Sequence, residues 1–457
     1  MTVAKLVYAC TECGSESLRW EGRCAVCGEW NTLVEHKTAG RQRKRAASTA
    51  VSEPATPVRL GTADTEPPAR LSSGLGEFDR ALGGGLVPGA LILLGGPPGV
   101  GKSTLLLQLA GRVARGGRRV LYASGEESTD QVRLRARRIG QGADEVLFIA
   151  STDVDTLLEA ANETAPDLLC LDSVQTVTSG RLESSAGSVT QIRETAARVQ
   201  DYAKRSGCSA VLVGHVTKGG ALAGPKALEH LVDVVLHFSG RRAGGHRLLH
   251  ATKNRFGSAD EIGAFRMTAA GLEEVEDPSE LFLAERQASV SGSALALPLQ
   301  GSRALVAEVQ ALTTASRYSN AQRVVTGFPP RRLALLAAVL ERRAGLSVAE
   351  SDVFVNVVGG LRLTDPAADM ALAAALASAQ LDRPLPERTA YVGEVGLGGE
   401  VRGGGMLDAR LRAAERAGLT EVVVPEASGN QGATDQSCAV RLHVVRSVHD
   451  VVALLRD

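Results

Sequence analysis

Two groups of residues in this chain are spaced for chemistry. The first is Gly96-Pro97-Pro98-Gly99-Val100-Gly101-Lys102-Ser103-Thr104, which follows an apolar run and precedes a helical pattern. Glycines at this spacing let the backbone curl so that its N–H groups converge on phosphate, and the following helix adds its positive end. Lys102 is expected on the β- and γ-phosphates of ATP, with the Ser103 hydroxyl on Mg²⁺. The second group is Cys10-x-x-Cys13 and Cys24-x-x-Cys27, with ten residues between the pairs. Each pair offers two thiolates at the separation that tetrahedral Zn²⁺ needs. Four cysteines leave no open position for a substrate, so the zinc is expected to be structural, and without it so short a segment could hardly fold. Trp20 and Trp30 are expected to pack beside it.

Further carboxylates fall where a nucleotide site needs them. Asp172 closes the run DLLCLD, and a carboxylate there can hold Mg²⁺. Glu126 and Glu127 follow the run RVLYAS, which is expected as the next strand of the sheet after the phosphate-loop unit. One of the two is expected to be the catalytic base, the other to suit the start of the helix from Ser128.

The elements that must position these residues can be read from the alternation of apolar runs with amphipathic segments. LILLG, RVLYAS, EVLFIA, DLLCLD, SAVLVGH and VDVVLHF read as strands, with helical patterns such as STLLLQLAGRVAR and VTQIRETAARVQDYAKR between several of them. Near-continuous apolar strands alternating with helices predict an α/β domain over 60–275, its parallel sheet covered by helices on both faces. Residues 1–35 hold the cysteine cluster, and 36–59 form a basic, then Ser/Thr/Pro-rich, flexible linker. From 285 to 457 strand-like runs mixed with helices, including an Ala-rich helix over 366–380 and a Gly-rich hairpin over 391–405, predict a separate α+β domain.

Composition narrows the function classes. The chain has 457 residues, 44% of them apolar, enough for several buried cores. Lys plus Arg equals Asp plus Glu at 51 each, so no global basic field draws the chain to nucleic acid. No run of about 18 uncharged apolar residues predicts a membrane span, and nothing at the N-terminus reads as a signal peptide. Seven cysteines with one tight cluster point to a metal site in a reducing compartment, here taken as the cytoplasm; Cys170, Cys208 and Cys438 read as small core residues.

The segment LSSGLGEFDRALGGGLVPGALILLGGPPGVGKSTLLLQLA resembles the opening of a RecA/KaiC-type ATPase. Together with YACTECG…WEGRCAVCGEWNTLVE and the later Lys253-Asn254-Arg255-Phe256-Gly257, it resembles the bacterial RadA (Sms) family of DNA repair proteins over essentially the whole chain. The resemblance implies a RecA-like core between a zinc ribbon and a Lon-protease-like domain. It implies a homo-hexameric ring acting on single-stranded DNA and branched recombination intermediates, near the nucleoid and beside a RecA-type recombinase. It places Glu126 as the catalytic glutamate and His215 as a γ-phosphate sensor. Two Gly-rich loops, 176–193 and 216–230, would line a channel, with Arg181, Lys218 and Lys226 as phosphate contacts and little sequence preference. Lys253 and Arg255 suit a catalytic role on a neighbour's nucleotide, with a DNA contact as the competing reading.

Residues 285–457 resemble the Lon proteolytic fold, but Ala367 aligns with its nucleophilic serine and Asp408 with its lysine. Without nucleophile and base, Ser–Lys peptide hydrolysis has no mechanism, so a non-catalytic scaffold is expected. Arg303, Arg317 and Arg323 could form a basic, DNA-binding surface on it. The leading expectation is a DNA-dependent ATPase and helicase of recombinational repair. A KaiC-like regulatory ATPase acting on protein partners is the alternative, and the neutral net charge favours it. An active protease is a third reading, which the missing dyad opposes.

Overall fold

At the N-terminus three short strands, β1 (Lys5–Cys10), β2 (Glu16–Ser17) and β3 (Leu33–Thr38), pair antiparallel in the order β2-β1-β3. The computed structural model describes residues 5–10, 16–17, 19–25, 30–38, 69–140, 142–215, 228–240, 245–279, 283, 286, 290–316, 321–348, 350–426 and 439–456. Two compact units divide the chain, Met1–Glu274 and Val275–Asp457.

The runs that read as strands form the centre of the first unit. After the short helix α1 (Gly76–Ala81) come β4 (Leu91–Gly96), α2 (Lys102–Arg115), β5 (Val120–Ser124), α3 (Thr129–Ile139), β6 (Leu147–Ala150), α4 (Val154–Thr164), β7 (Leu168–Asp172), α5 (Val189–Ser206) and β8 (Ser209–His215). Then follow β9 (Val234–Gly240), β10 (His246–Asn254), β11 (Ile262–Thr268) and β12 (Gly271–Glu274). Every residue of β4, β5 and β7 is buried, as strands covered on both faces must be. One core packs Leu105, Leu106, Leu109 and Val113 of α2 onto Ile92, Leu94 and Tyr122. On the opposite face Leu157 of α4 and Ile192, Val199 and Tyr202 of α5 cover Leu91, Leu93 and Leu169.

The helices start where side chains can satisfy their free N–H groups. Ser128 caps α3 in a reciprocal capping box with Gln131, and Asp153 and Ser188 cap α4 and α5.

Two expectations change here. The nine-stranded sheet runs β12-β11-β10-β9-β4-β8-β7-β5-β6, so β5 is not the neighbour of β4; β8 and β7 lie between them. The sheet is also not wholly parallel. Strands β6 to β9 run parallel to β4, but β10, β11 and β12 extend the β9 edge antiparallel. Their shorter connections and half-exposed faces make the antiparallel pairing legible only once the partners are known.

In the second unit, a mixed sheet of order β17-β18-β16-β13-β19-β22-β23 joins β13 (Ser293–Ala296), β16 (Ala307–Ala315), β17 (Arg323–Thr326), β18 (Ser351–Val357), β19 (Thr389–Tyr391), β22 (Glu421–Pro425) and β23 (Arg441–Val445). Two small hairpins, β14 (Leu299–Gln300) with β15 (Arg303–Ala304) and β20 (Glu394–Val395) with β21 (Val401–Arg402), stand apart from it. The helices are α6 (Pro330–Ala344), α7 (Asp369–Leu381), α8 (Leu407–Arg416) and α9 (Val448–Arg456). The Ala-rich helix is α7, and its small side chains let it be buried on every side from Asp369 to Ser378. It begins later than the sequence suggested, because Pro366 and a cap from Asp365 to the Ala367 N–H make 366–368 a separate 3₁₀ turn. Among the described residues, no helix is long and apolar enough to cross a membrane.

Candidate nucleotide site and the residues around it

The phosphate loop joins the C-terminal end of β4 to α2, as its sequence requires. Two of its glycines have no substitute. Gly96 has φ +159 and Gly101 has φ +111, and an added Cβ would lie 2.2 Å from Phe238 O and 2.6 Å from Met267 Cε, respectively. Lys102 is buried at the first turn of α2, and its ammonium donates to Gly96 O at 2.9 Å and Pro97 O at 3.1 Å. Burial pushes its pKa down, while the Asp172 and Glu126 carboxylates pull it up. A lysine folded back onto carbonyls of its own loop is placed to exchange them for phosphate oxygens.

Asp172, at the end of β7, faces this lysine. Tyr122 donates its hydroxyl to Asp172 Oδ2 at 2.8 Å, and the Ser103 hydroxyl is a further hydrogen-bonding neighbour. Burial raises the Asp172 pKa; the hydroxyls of Ser103 and Tyr122 oppose it, and the nearby Glu126 and Glu127 carboxylates add to it. Its Oδ1 is buried with no hydrogen-bond partner. An orphaned buried carboxylate oxygen beside a hydroxyl and a phosphate loop fits a hard, oxygen-liganded divalent cation such as Mg²⁺.

The two glutamates part company. Although β5 is remote from β4, it pairs with β7 so that Ser124 opposes Asp172, and the Gly125 N–H bonds Asp172 O at 3.1 Å. Ser124 Oγ then accepts the Glu126 and Glu127 N–H groups at 3.2 and 3.0 Å, which shapes the turn. Glu126 accepts a hydrogen bond from Ser173, the residue after Asp172. Glu127 points instead to Arg135 of α3, with which it forms an ion pair. Ser124, Tyr122 and Ser173 are neighbours of the site that sequence reasoning passed over; nothing in a lone Ser or Tyr in or just after a strand marks it.

Lys253 and Arg255 lie at the other end of the sheet. Lys253 Nζ donates to Val232 O at 2.8 Å and to Glu229 O. Arg255 Nη1 meets Asp233 Oδ1 at 3.0 Å, and Asp233 Oδ2 accepts the N–H of Leu91, the first residue of β4, at 3.0 Å. The length of β4, roughly 17 Å at a strand's rise per residue, separates that corner from Gly96. Both side chains are thus tied to that corner and turned away from the phosphate loop of their own chain. Asn254 is structural, since it bonds Leu82 O and the Phe256 N–H.

Loop 176–188 is less free than its composition suggests. Gln191 of α5 is 1% exposed; its Nε2 donates to Ser179 O, Leu182 O and Ser184 O, and its Oε1 accepts the Ser179 N–H at 2.8 Å. Ser188-x-x-Gln191 reads as a capping box, yet the glutamine side chain turns to the loop. Arg181 is exposed on this loop. His215 ends β8 opposite Gly96, and its side chain lies outside the described residues, as do Lys218, Lys226 and Arg317.

In the ribbon, Cys10 and Cys24 are buried together with Leu33, as two thiolates sharing one zinc would be, and Cys13 and Cys27 lie outside the described residues. The tryptophans depart from expectation. Trp20 and Trp30 are 56% and 69% exposed, with Arg23 stacked over Trp30 at 5.8 Å. Cys170 and Cys208 are buried core residues, and burial pushes both thiols up, Cys208 to about 12.

In the second unit Ala367 is buried, and Asp408 is exposed on α8. The cation beside Ala367 is Arg410, 1% exposed, which donates to Asp365 Oδ2 at 2.7 Å, Gly405 O at 2.9 Å and Leu297 O. Arg303 donates to Glu276 O, and Arg323 is exposed on β17.

A phosphate loop after β4, an orphaned aspartate at the end of β7 and a glutamate after β5, on a sheet covered by helices on both faces, define a RecA-like P-loop ATPase. The comparisons agree: residues 60–221 match the AAA domain family, 8–35 the rubredoxin metal binding domain, and 344–455 the Lon protease (S16) C-terminal proteolytic domain. The chain belongs to the RadA family of DNA repair proteins. The DNA repair protein RadA of Mycobacterium tuberculosis is 44% identical over 99% of this chain and 93% of its own length. Those of Aquifex aeolicus and Bacillus subtilis are 45% and 42% identical, covering 92% and 94% of this chain and 94% of their own lengths.

Proposed function

We propose that this chain is a DNA-dependent ATPase and helicase of recombinational repair. It works as a hexameric ring on single-stranded DNA and drives branch migration of recombination intermediates, alongside a RecA-type recombinase in the bacterial cytoplasm, at the nucleoid. The observation that carries the reading is the placement of Lys253 and Arg255 at the far end of the sheet from their own phosphate loop. Cations held there serve a nucleotide only if a neighbouring subunit brings one to them, so the site is completed by assembly.

In this reading Gly96–Thr104 cradles ATP and Lys102 leaves its carbonyl partners for the phosphates. Ser103 and Asp172 hold Mg²⁺, which supplies charge neutralisation at the terminal phosphates when bound. Glu126, kept in line by Ser173, orients and deprotonates water. His215, opposite Gly96, reports nucleotide state to the loop that follows it. Arg181, Lys218 and Lys226 contact the DNA backbone. Cys10, Cys13, Cys24 and Cys27 hold a structural zinc. The Lon-like unit is a scaffold without protease activity, since Ala367 offers no nucleophile and the cation beside it is tied into an ion pair.

The test is the ATPase rate with and without single-stranded DNA, beside Lys102→Ala. The wild type should be stimulated several-fold and the variant should lose hydrolysis. Unstimulated hydrolysis would favour a regulatory ATPase acting on proteins, which the neutral net charge supports.

A further inference from the structure

Arg247 belongs to β10, well over a hundred residues from the phosphate loop, yet its side chain ends on that loop. The residue is 5% exposed. Its Nε donates to Val100 O at 2.9 Å and its Nη1 to His246 O at 2.8 Å. The stem passes over Gly240 of β9, where an added Cβ would lie 2.5 Å from Arg247 Cδ. The same antiparallel extension backs the loop elsewhere, since Met267 Cε of β11 fills the space a side chain at Gly101 would need.

A phosphate loop binds through the direction of its N–H groups. The peptide joining Val100 to Gly101 is planar, so fixing the Val100 oxygen on one side fixes the Gly101 N–H on the other. Gly101, at φ +111, could turn freely without such a hold. A charged donor on the outer side of the peptide therefore orients the inner N–H and strengthens it as a donor to an anion. A guanidinium suits the task, because its rigid fork reaches two carbonyls at once where an ammonium is a single point charge.

We propose that Arg247 is a positioning residue for the phosphate loop: its buried guanidinium grips the Val100 carbonyl and holds the Val100–Gly101 peptide in its phosphate-binding orientation. The role rests on Gly96–Thr104 being the ATP site. It gives the antiparallel strands a part in nucleotide affinity.

The experiment uses the full chain carrying Arg247→Gln or Arg247→Lys, with exposed Arg266→Gln on β11 as the control. Binding of fluorescent ATP and ADP analogues, KM, kcat and the nucleotide-free unfolding midpoint are measured for each. Arg247→Gln should weaken ATP and ADP binding by about 10- to 100-fold, the range for losing a charged hydrogen bond, with KM rising in parallel and kcat changing less than about threefold. Arg247→Lys should fall between it and the wild type, and Arg266→Gln should stay within about twofold. A folded Arg247→Gln that binds ATP like the wild type overturns the proposal. So does a lowered nucleotide-free midpoint with unchanged affinity, the signature of a merely structural arginine. Should Arg247→Gln not fold, wild-type affinity in Arg247→Lys overturns it instead. Failure of the ATP-site reading itself looks different: Lys102→Ala would then bind nucleotide as well as the wild type.

Discussion

Glu126 and Glu127 are adjacent, chemically identical and both at a strand's end, and only their partners separate them. Glu126 is held by Ser173, beside Asp172 and within the field of Lys102; Glu127 is paired with Arg135. The ion pair turns Glu127 towards α3 and away from the Asp172 carboxylate, so Glu126 is the one placed to meet a water at the phosphates. Glu126→Gln should therefore lower kcat by about 10²- to 10⁴-fold and leave ATP affinity nearly intact. Glu127→Gln should keep kcat within about tenfold, its cost falling on stability through the unpaired Arg135. Steady-state kinetics with a parallel nucleotide-binding assay decides. A larger kcat loss in Glu127→Gln reverses the roles.

Loop 176–188 shows the same logic one level up. Four hydrogen bonds made by one buried amide hold Ser179, Leu182 and Ser184, so α5 helps to order a loop whose Ser/Gly-rich sequence suggests little order. Gln191→Ala should cost about 1–3 kcal/mol of stability and speed amide exchange at Ser179–Ser184. If the loop contacts DNA, DNA-stimulated ATPase should fall further than the basal rate; equal losses would detach the loop from DNA. Gln191 also marks where sequence reading stops. Strands such as LILLG and DLLCLD were legible because burial on both faces forces continuous apolar runs, and the phosphate loop because its glycines answer a local backbone demand. The order of strands was not, since β5 and β8 have equal claim to the place beside β4 until side-chain packing decides. Nor were long-range partners such as Ser173 on Glu126, or Arg247 on Val100, because an interaction across many tens of residues leaves no spacing to read.

At the scale of the whole molecule, equal numbers of acidic and basic residues mean that association must come from placed groups rather than net field. Lys253 and Arg255 are such groups: one is anchored to Val232 and Glu229 carbonyls, and the other leans on Asp233 with half its side chain still exposed. A head-to-tail ring would present this corner of one subunit to the phosphate loop of the next, with each interface using a loop from one side and cations from the other. Complementation tests that geometry directly. Lys102→Ala and Arg255→Ala should each be nearly inactive alone. Mixed in equal amounts and reassembled at random, about a quarter of interfaces join an intact loop to an intact arginine, so ATPase activity should recover to about a quarter of the wild-type rate. An Arg255→Ala protein that hydrolyses ATP normally without DNA, but loses stimulation by it, would move the arginine to the DNA-binding surface. No recovery on mixing two inactive variants would remove the shared site altogether.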